Sequence, residues 1–161
     1  MLSPNAPLPN ARVDRVVGLL EVLDESATEL DFFQLSHRLR LPIDDLLPII
    51  DAARLLGFVE LSGDSVTLTP IGLDMARADI LKRKAIFRQQ VLQVPLMRQV
   101  VGLLDRQPRR RLPHKWLMRW LGADVSTFWA SRTMDILVDW GRYADLIGYN
   151  ARSGEVYLTA D

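Results

Sequence analysis

Two similar stretches lie 90 residues apart in this chain, and this internal repeat constrains the fold more than any other feature. Residues 66–69 read Val-Thr-Leu-Thr, and residues 156–159 read Val-Tyr-Leu-Thr. Gly63 and Gly154 precede these stretches at spacings that differ by one residue. Each stretch is the second strand of a predicted hairpin that follows predicted helices. A repeat of this kind indicates two related structural units in tandem.

The first half carries the pattern of three helices and a hairpin. Apolar residues at helical spacing begin at Val13, and the third predicted helix runs from Asp45 to Leu56. Two β-prone runs, residues 58–61 and 65–69, flank a turn that contains Gly63 and predict the hairpin. Three helices followed by a hairpin is the order of a winged helix, a relative of the helix-turn-helix.

The second half repeats this order. A long helix is predicted from Ile80 to Leu104, with Leu81 and Phe87 among its apolar residues and a kink or break at Pro95. A short helix, a helix that begins at Ser126, and a hairpin of residues 146–149 and 156–158 follow. We therefore expect a mainly α fold with small β-hairpins, built as tandem winged-helix units. The rival interpretation is a mixed α+β domain without the repeat.

These patterns divide the chain into three parts. Three prolines in the first ten residues predict a flexible Pro-rich tail or linker over residues 1–12. Residues 13–79 form the first predicted winged-helix unit. Residues 80–161 form the second, which includes the long connecting helix.

Charge is distributed unevenly, although the net charge is zero. Residues 82–119 contain eleven Lys and Arg residues and one acid, Asp105, so the rest of the chain is strongly acidic. A basic segment of this kind suits nucleic acid, an anionic membrane surface, an acidic partner, or the acidic ends of the same chain. The candidate residues for contacting a partner or phosphate are Arg106, Arg109, Arg110, Arg111, Lys115 and Arg119.

The residues that carry catalysis or bind cofactors are mostly missing. The chain has no Cys, and its two histidines, His37 and His114, lie in different predicted units without clustered carboxylates. Neither a phosphate-binding loop nor a dinucleotide-binding glycine motif occurs. We expect no enzyme, no cofactor and no metal site. The absence of a long apolar run and of a secretory pattern in residues 1–10 predicts a cytoplasmic location.

A winged-helix DNA-binding transcriptional regulator is the alternative that the architecture leaves open. Such a protein places its third helix in the major groove, where basic and amide side chains contact the bases. In the first predicted unit, the third helix instead carries Asp45 and Asp51, and DNA phosphates would repel these carboxylates. The second offers Arg132 against Asp135 and Asp139. DNA is therefore the less favoured partner.

Several blocks of sequence resemble one known family. They are Leu19 to Leu23, Leu41 to Gly57, Val66 to Gly72, Ala78 to Lys84, Val94 to Leu96, and above all Asp139 to Ala144, which begins with the Asp-Trp-Gly-Arg-Tyr block of residues 139–143. Together they resemble the AAA-associated C-terminal domain that follows the ATPase module in ATP-binding subunits of nitrate/sulfonate/bicarbonate-type ABC transporters. The module that precedes the domain in that family is not in this sequence, so we expect an excised domain or a free-standing relative.

The resemblance implies a non-catalytic regulatory or interaction domain. Its expected partner is an ABC transporter ATPase module or another protein, and it would be at most peripheral to the cytoplasmic face of the inner membrane. The residues of the 139–143 block have expected structural roles. Gly141 would let its helix end, and Trp140 and Tyr143 would lock the last hairpin onto that helix. Arg142 would pair with Asp139 or Asp145, or contact a partner.

Overall fold

A computed structural model describes residues 8–26, 29–123 and 126–159 of the chain. In these residues the chain forms eight helices and two three-stranded antiparallel sheets. This arrangement confirms the predicted mainly α fold with small β-hairpins. None of the helices in the described ranges is both long and apolar enough to cross a membrane.

The first sheet places its last strand in the middle. The elements of the first half, in chain order, are α1 (Val13–Glu25), β1 (Leu30–Asp31), α2 (Phe32–Leu39), α3 (Ile43–Leu55), β2 (Val59–Ser62) and β3 (Ser65–Leu68). Strand β3 pairs with both β1 and β2, so that Val66 lies opposite Leu30 on one side and Leu61 on the other. Gly57, whose φ is +82°, ends the turn after α3, and a side chain there would be strained.

The second half repeats this arrangement after two connecting helices. Its elements are α4 (Pro70–Arg77) and α5 (Ile80–Val91), followed by α6 (Pro95–Asp105), β4 (Arg111–Pro113), α7 (His114–Leu121), α8 (Thr127–Tyr143), β5 (Ile147–Asn150) and β6 (Glu155–Leu158). Strand β6 pairs with both β4 and β5, and Val156 lies opposite Leu112 and Tyr149. Val156 therefore occupies in the second sheet the position that Val66 occupies in the first.

The predicted long helix from Ile80 to Leu104 is two helices, α5 and α6. Pro95 is the first residue of α6, where its missing N–H has no partner to lose. The chain turns between Val91 and Pro95, so the break that Pro95 predicted is complete. Helix α6 therefore corresponds to α1, because each helix precedes the first strand of its half.

The expectation of a flexible tail over residues 1–12 is wrong for residues 8–12. Leu8 and Ala11 are buried, with 7% and 3% of their surface exposed. Residues 1–7 lie outside the described part of the chain. The prolines predicted a segment without an internal pattern, but contacts made by distant residues hold it in place. The division into units of residues 13–79 and 80–161 stays a prediction, since the buried side chains of both halves form one continuous cluster.

Helix α5 joins the two halves. Its buried Phe87 packs against Phe58 of the first half at a ring distance of 6.4 Å and against Trp140 of the second at 6.2 Å. Gln90 donates a hydrogen bond to the Leu56 carbonyl, 2.9 Å away, at the end of α3. Arg88 donates to the Asp145 carbonyl, 3.1 Å away, beyond the end of α8. The helix thus bonds to the corresponding corner of each half.

The stretch from Val66 to Gly72 fixes the corner between the first sheet and α4. Thr69 caps α4 by accepting a hydrogen bond from the Gly72 N–H, and its hydroxyl donates to the Gly57 carbonyl at 2.6 Å. Gly72 lies so close to the neighbouring backbone that a Cβ atom there would be 1.9 Å from the Phe58 carbonyl oxygen. Only glycine fits this position without moving the main chain.

We expect Gly72→Ala to destabilise the fold by about 3 kcal/mol or more, because backbone rather than a flexible side chain has to move. Gly18→Ala is the matched control: Gly18 lies within α1 with open space around it, and alanine there should add about 0.5–1 kcal/mol of stability. Urea unfolding followed by tryptophan fluorescence measures both. Similar stabilities for the two variants would contradict the close approach at Gly72.

Candidate functional site

The structure places the six candidate basic residues on consecutive elements around β4. Arg106 follows the last residue of α6, Arg109 and Arg110 lie in the turn after it, and Arg111 begins β4. Lys115 and Arg119 lie one turn apart on α7. Both α6 and α7 pack against β4, so these residues belong to one region of the surface. We call this region the basic face.

Two of these six cations are engaged by the chain itself. Arg110 pairs with Asp105 at 3.5 Å, and Arg111 pairs with Glu155 of β6 at 3.6 Å. The side chains of Arg106, Arg109, Lys115 and Arg119 are exposed and form no ion pair or hydrogen bond with another described residue. The prediction that acidic parts of the chain neutralise the basic segment therefore holds for only part of it.

Helix α7 adds an aromatic side chain to the basic face. Leu117 and Leu121 are buried, whereas Lys115 and Arg119 are exposed and Trp116 is 43% exposed. Residues three and four apart lie on the same side of a helix, so Trp116 is a neighbour of Arg119. An exposed tryptophan beside unpaired cations is typical of a contact surface. The signal was in the sequence, since Lys115 and Arg119 repeat at four residues, as do Trp116 and Trp120.

The 139–143 block lies in the last two turns of α8 and holds the start of the chain. The Val13 N–H, the first of α1, donates to the Asp139 carboxylate at 2.9 Å, and Arg12 pairs with the same carboxylate at 3.2 Å. Arg12 itself provides no side-chain cap for α1. Asp139 therefore supplies the negative charge and the acceptor that a helix N-terminus favours, from a distant part of the sequence.

Trp140 binds the same segment at Ala11, the residue before Arg12. Its indole N–H donates to the Ala11 carbonyl at 2.8 Å, and the ring is fully buried. The ring also packs edge-on against Phe87. The expected contact of Trp140 with the last hairpin stays a prediction. We call the pair of contacts made by Asp139 and Trp140 the N-terminal clamp.

Gly141 does not end its helix, contrary to the prediction, because α8 continues to Tyr143. A Cβ atom at Gly141 would lie 2.3 Å from a side-chain carbon of Ile147. Gly141 thus lets the first residue of β5 pack directly against the helix. The close approach of Gly141 and Ile147 is one contact between α8 and the last hairpin.

Tyr143 packs on α5, and it lines a groove together with Tyr149 of the last hairpin. Its ring meets Phe87 edge-on at 5.2 Å, and the Lys84 ammonium lies 5.6 Å from the ring centre. Burial raises the pKa of the Tyr143 phenol above its usual value, while the positive charge of Arg83 acts in the opposite direction. The phenol is neutral at physiological pH.

Arg142 is the member of the block that the fold leaves available. Its side chain is exposed, and it forms no ion pair with a described residue, because Asp139 pairs with Arg12 instead. Of the expected roles, a partner contact is the one that this position allows. Arg142 lines a groove of about 680 Å³ together with His114 and Tyr149, whose rings are 5.4 Å apart.

The two predicted third helices, α3 and α8, line a common groove. Asp44, Leu47 and Asp51 of α3 and Phe128 and Arg132 of α8 contribute to a cavity of about 430 Å³. Carboxylates thus lie on the side where a DNA-reading surface would need cations. The exposed cations of the basic face belong to other elements.

A comparison of the sequence with models of known families matches a region that includes the 139–143 block. A family model described as the C-terminal AAA-associated domain matches residues 33–150, which is more than half of the chain. The chain belongs to this family. The match includes the basic face, α5 and the 139–143 block, and it confirms the resemblance seen in the sequence. It also associates the domain with ATPases of the AAA type. No curated protein and no solved structure matches the chain.

In this AAA-associated domain we expect the N-terminal clamp to stabilise the folded state. We expect Asp139→Ala to reduce the free energy of unfolding by about 1–2 kcal/mol, because the start of α1 loses its cap and its compensating charge. Hydrogen exchange at Val13 should accelerate more than exchange in the middle of α1.

Asp135→Ala is the matched control, since Asp135 lies one turn earlier on α8, is exposed and has no ion pair with a described residue. Its effect on the free energy of unfolding should stay within about 0.5 kcal/mol. Equal losses from the two substitutions would show that Asp139 contributes no more than a surface charge.

Proposed function

We propose that this domain is a non-catalytic module that docks on the ATP-binding subunit of a nitrate/sulfonate/bicarbonate-type ABC transporter and alters its ATP hydrolysis. The domain would act at the cytoplasmic face of the inner membrane, at most peripheral to the bilayer. Family membership supports the association with an ATPase. The resemblance of the 78–84 and 139–143 blocks supports the type of transporter.

The observation that carries the mode of docking is the basic face. Arg109, Lys115 and Arg119 are exposed without internal counter-ions among the described residues, and Trp116 lies about one helical turn from Arg119 on α7. Such a surface complements an acidic patch, and electrostatic complementarity accelerates association and selects the partner. Two further cations of this region, Arg110 and Arg111, have acids of their own within 4 Å.

The N-terminal clamp supports a role in transmitting the state of a partner. It attaches the segment before α1 to α8, and α8 packs against α7 of the basic face. Residues 11–13 are therefore held at a fixed position relative to the basic face, and a partner that contacts them would be coupled to that face. The proposed regulation uses this rigid connection.

The alternative of a DNA-binding regulator has less support. Asp44, Asp45 and Asp51 are exposed on α3, and the exposed side of α3 shares its groove with α8. Neither helix presents a row of cations toward solvent. The proposed function accordingly assigns the basic face to a protein partner.

The test replaces Arg109, Lys115 and Arg119 together by Ala. Added to the purified ATP-binding subunit, the parent chain should change the rate of ATP hydrolysis, and the triple variant should need at least about tenfold more protein for the same effect. A triple variant of Arg15, Arg38 and Arg54 removes the same charge from exposed positions elsewhere and should behave like the parent. No effect of the parent chain on hydrolysis or binding would refute the proposal.

Binding to DNA provides a second test. We expect a random-sequence duplex, followed by fluorescence anisotropy, to bind the chain with a Kd weaker than about 100 µM near physiological salt. The reason is that carboxylates line the helices that would enter the groove. Micromolar binding that weakens steeply as salt is added would instead favour the DNA-binding alternative.

A further inference from the structure

The first two residues of α5, Ile80 and Leu81, extend into solvent. They are 76% and 81% exposed, more than any other large apolar side chain in the described part of the protein. Both were expected to be part of a long amphipathic helix, with Leu81 on its apolar side. Neither side chain belongs to the buried core or to the partly buried residues packed against it. We call these two residues the apolar tip.

The rest of the 78–84 block has contacts that hold the apolar tip in position. Asp79 caps α5 by accepting a hydrogen bond from the Lys82 N–H at 2.8 Å. Arg83 donates to the Met75 and Ala76 carbonyls at 3.0 and 2.9 Å, which ties the start of α5 to the end of α4. Lys84 lies over the Tyr143 ring. The block thus fixes the direction of a helix whose first two side chains are mostly exposed to solvent.

We propose that the apolar tip inserts into an apolar pocket on the ATP-binding subunit, where Lys82 meets an acidic rim. The inference rests on the proposed function and names a second contact, separate from the basic face. Lys82 is exposed next to the tip and forms no ion pair with a described residue, whereas the adjacent Asp79 is engaged as the cap at the positive end of the α5 dipole. Lys82 is therefore the charge at the tip that an acidic rim would complement. Insertion would bury the two side chains that water now surrounds.

The size of the apolar tip favours this occupant over a second copy of the chain or a membrane. Two side chains bury far less than the roughly 1,200 Å² of a stable interface, so the tip alone cannot hold a dimer together. Together they carry about eight side-chain carbons, whereas a myristoyl chain of about 14 carbons binds membranes only marginally. A small contact becomes effective when another surface already holds the partner close, as the basic face would.

The test uses the absence of cysteine in the chain. Ala85→Cys, one turn from Leu81 and exposed, carries an environment-sensitive fluorophore and leaves the tip intact. Titration with the purified ATP-binding subunit should shift the emission to the blue. The added substitutions Ile80→Ser and Leu81→Ser should abolish that shift and weaken binding by about tenfold or more. Phe33→Ser, which changes another large apolar residue that is 75% exposed, should leave binding within about twofold.

The outcomes separate this inference from the proposed function. Binding that depends on Arg109, Lys115 and Arg119 but not on Ile80 and Leu81 would overturn the inference and leave the function standing. No binding of the parent chain would overturn both. A tip-dependent blue shift on vesicles of phosphatidylglycerol, without one on the subunit, would show that the tip contacts lipid and would also overturn the inference.

Discussion

The packing of Phe87 is the interaction on which the rest of the structure depends. Its ring meets Phe58 from the first half and Trp140 and Tyr143 from the second, so one side chain joins both cores. The backbone carbonyls bonded by Gln90 and Arg88 lie at the corners that end α3 and α8. Two small three-helix units would each bury little apolar surface alone, and small domains are marginally stable. The shared core at α5 resolves this difficulty.

Most residues of the 139–143 block make contacts within the domain, so the residues available to a partner lie elsewhere. Asp139 and Trp140 hold the N-terminal segment, Gly141 admits Ile147, and Tyr143 packs on α5. These contacts are structural, and they exhaust the block except for Arg142. The residues that remain for a partner lie on α7, in the turn before β4 and at the start of α5. A motif that characterises a family can thus describe how the domain is built more than what it binds.

The sequence predicted the hairpins and most helices because their signals are local. Val66 and Val156, at the centres of the two sheets, lie within regular alternations that identify strands. Strands of two and three residues, such as Leu30–Asp31, are too short for any periodicity to reveal. The basic face was predicted by composition, whereas its division into paired and unpaired cations depends on residues far away in sequence, such as Glu155. Periodicity also cannot tell an apolar helix residue that is buried from one that is exposed, as Leu81 shows.

The bond between the Val13 amide and Asp139 spans 126 residues of sequence, and this separation has a consequence for biosynthesis. The carboxylate that completes the first turn of α1 leaves the ribosome only after the 126 residues that separate it from Val13 have been made. Until then the start of α1 lacks its acceptor from Asp139, and the Ala11 carbonyl lacks its hydrogen bond from Trp140. Closing so long a loop costs entropy that local helices do not pay. The two ends of the domain therefore join in a late step, after each half has acquired its helices.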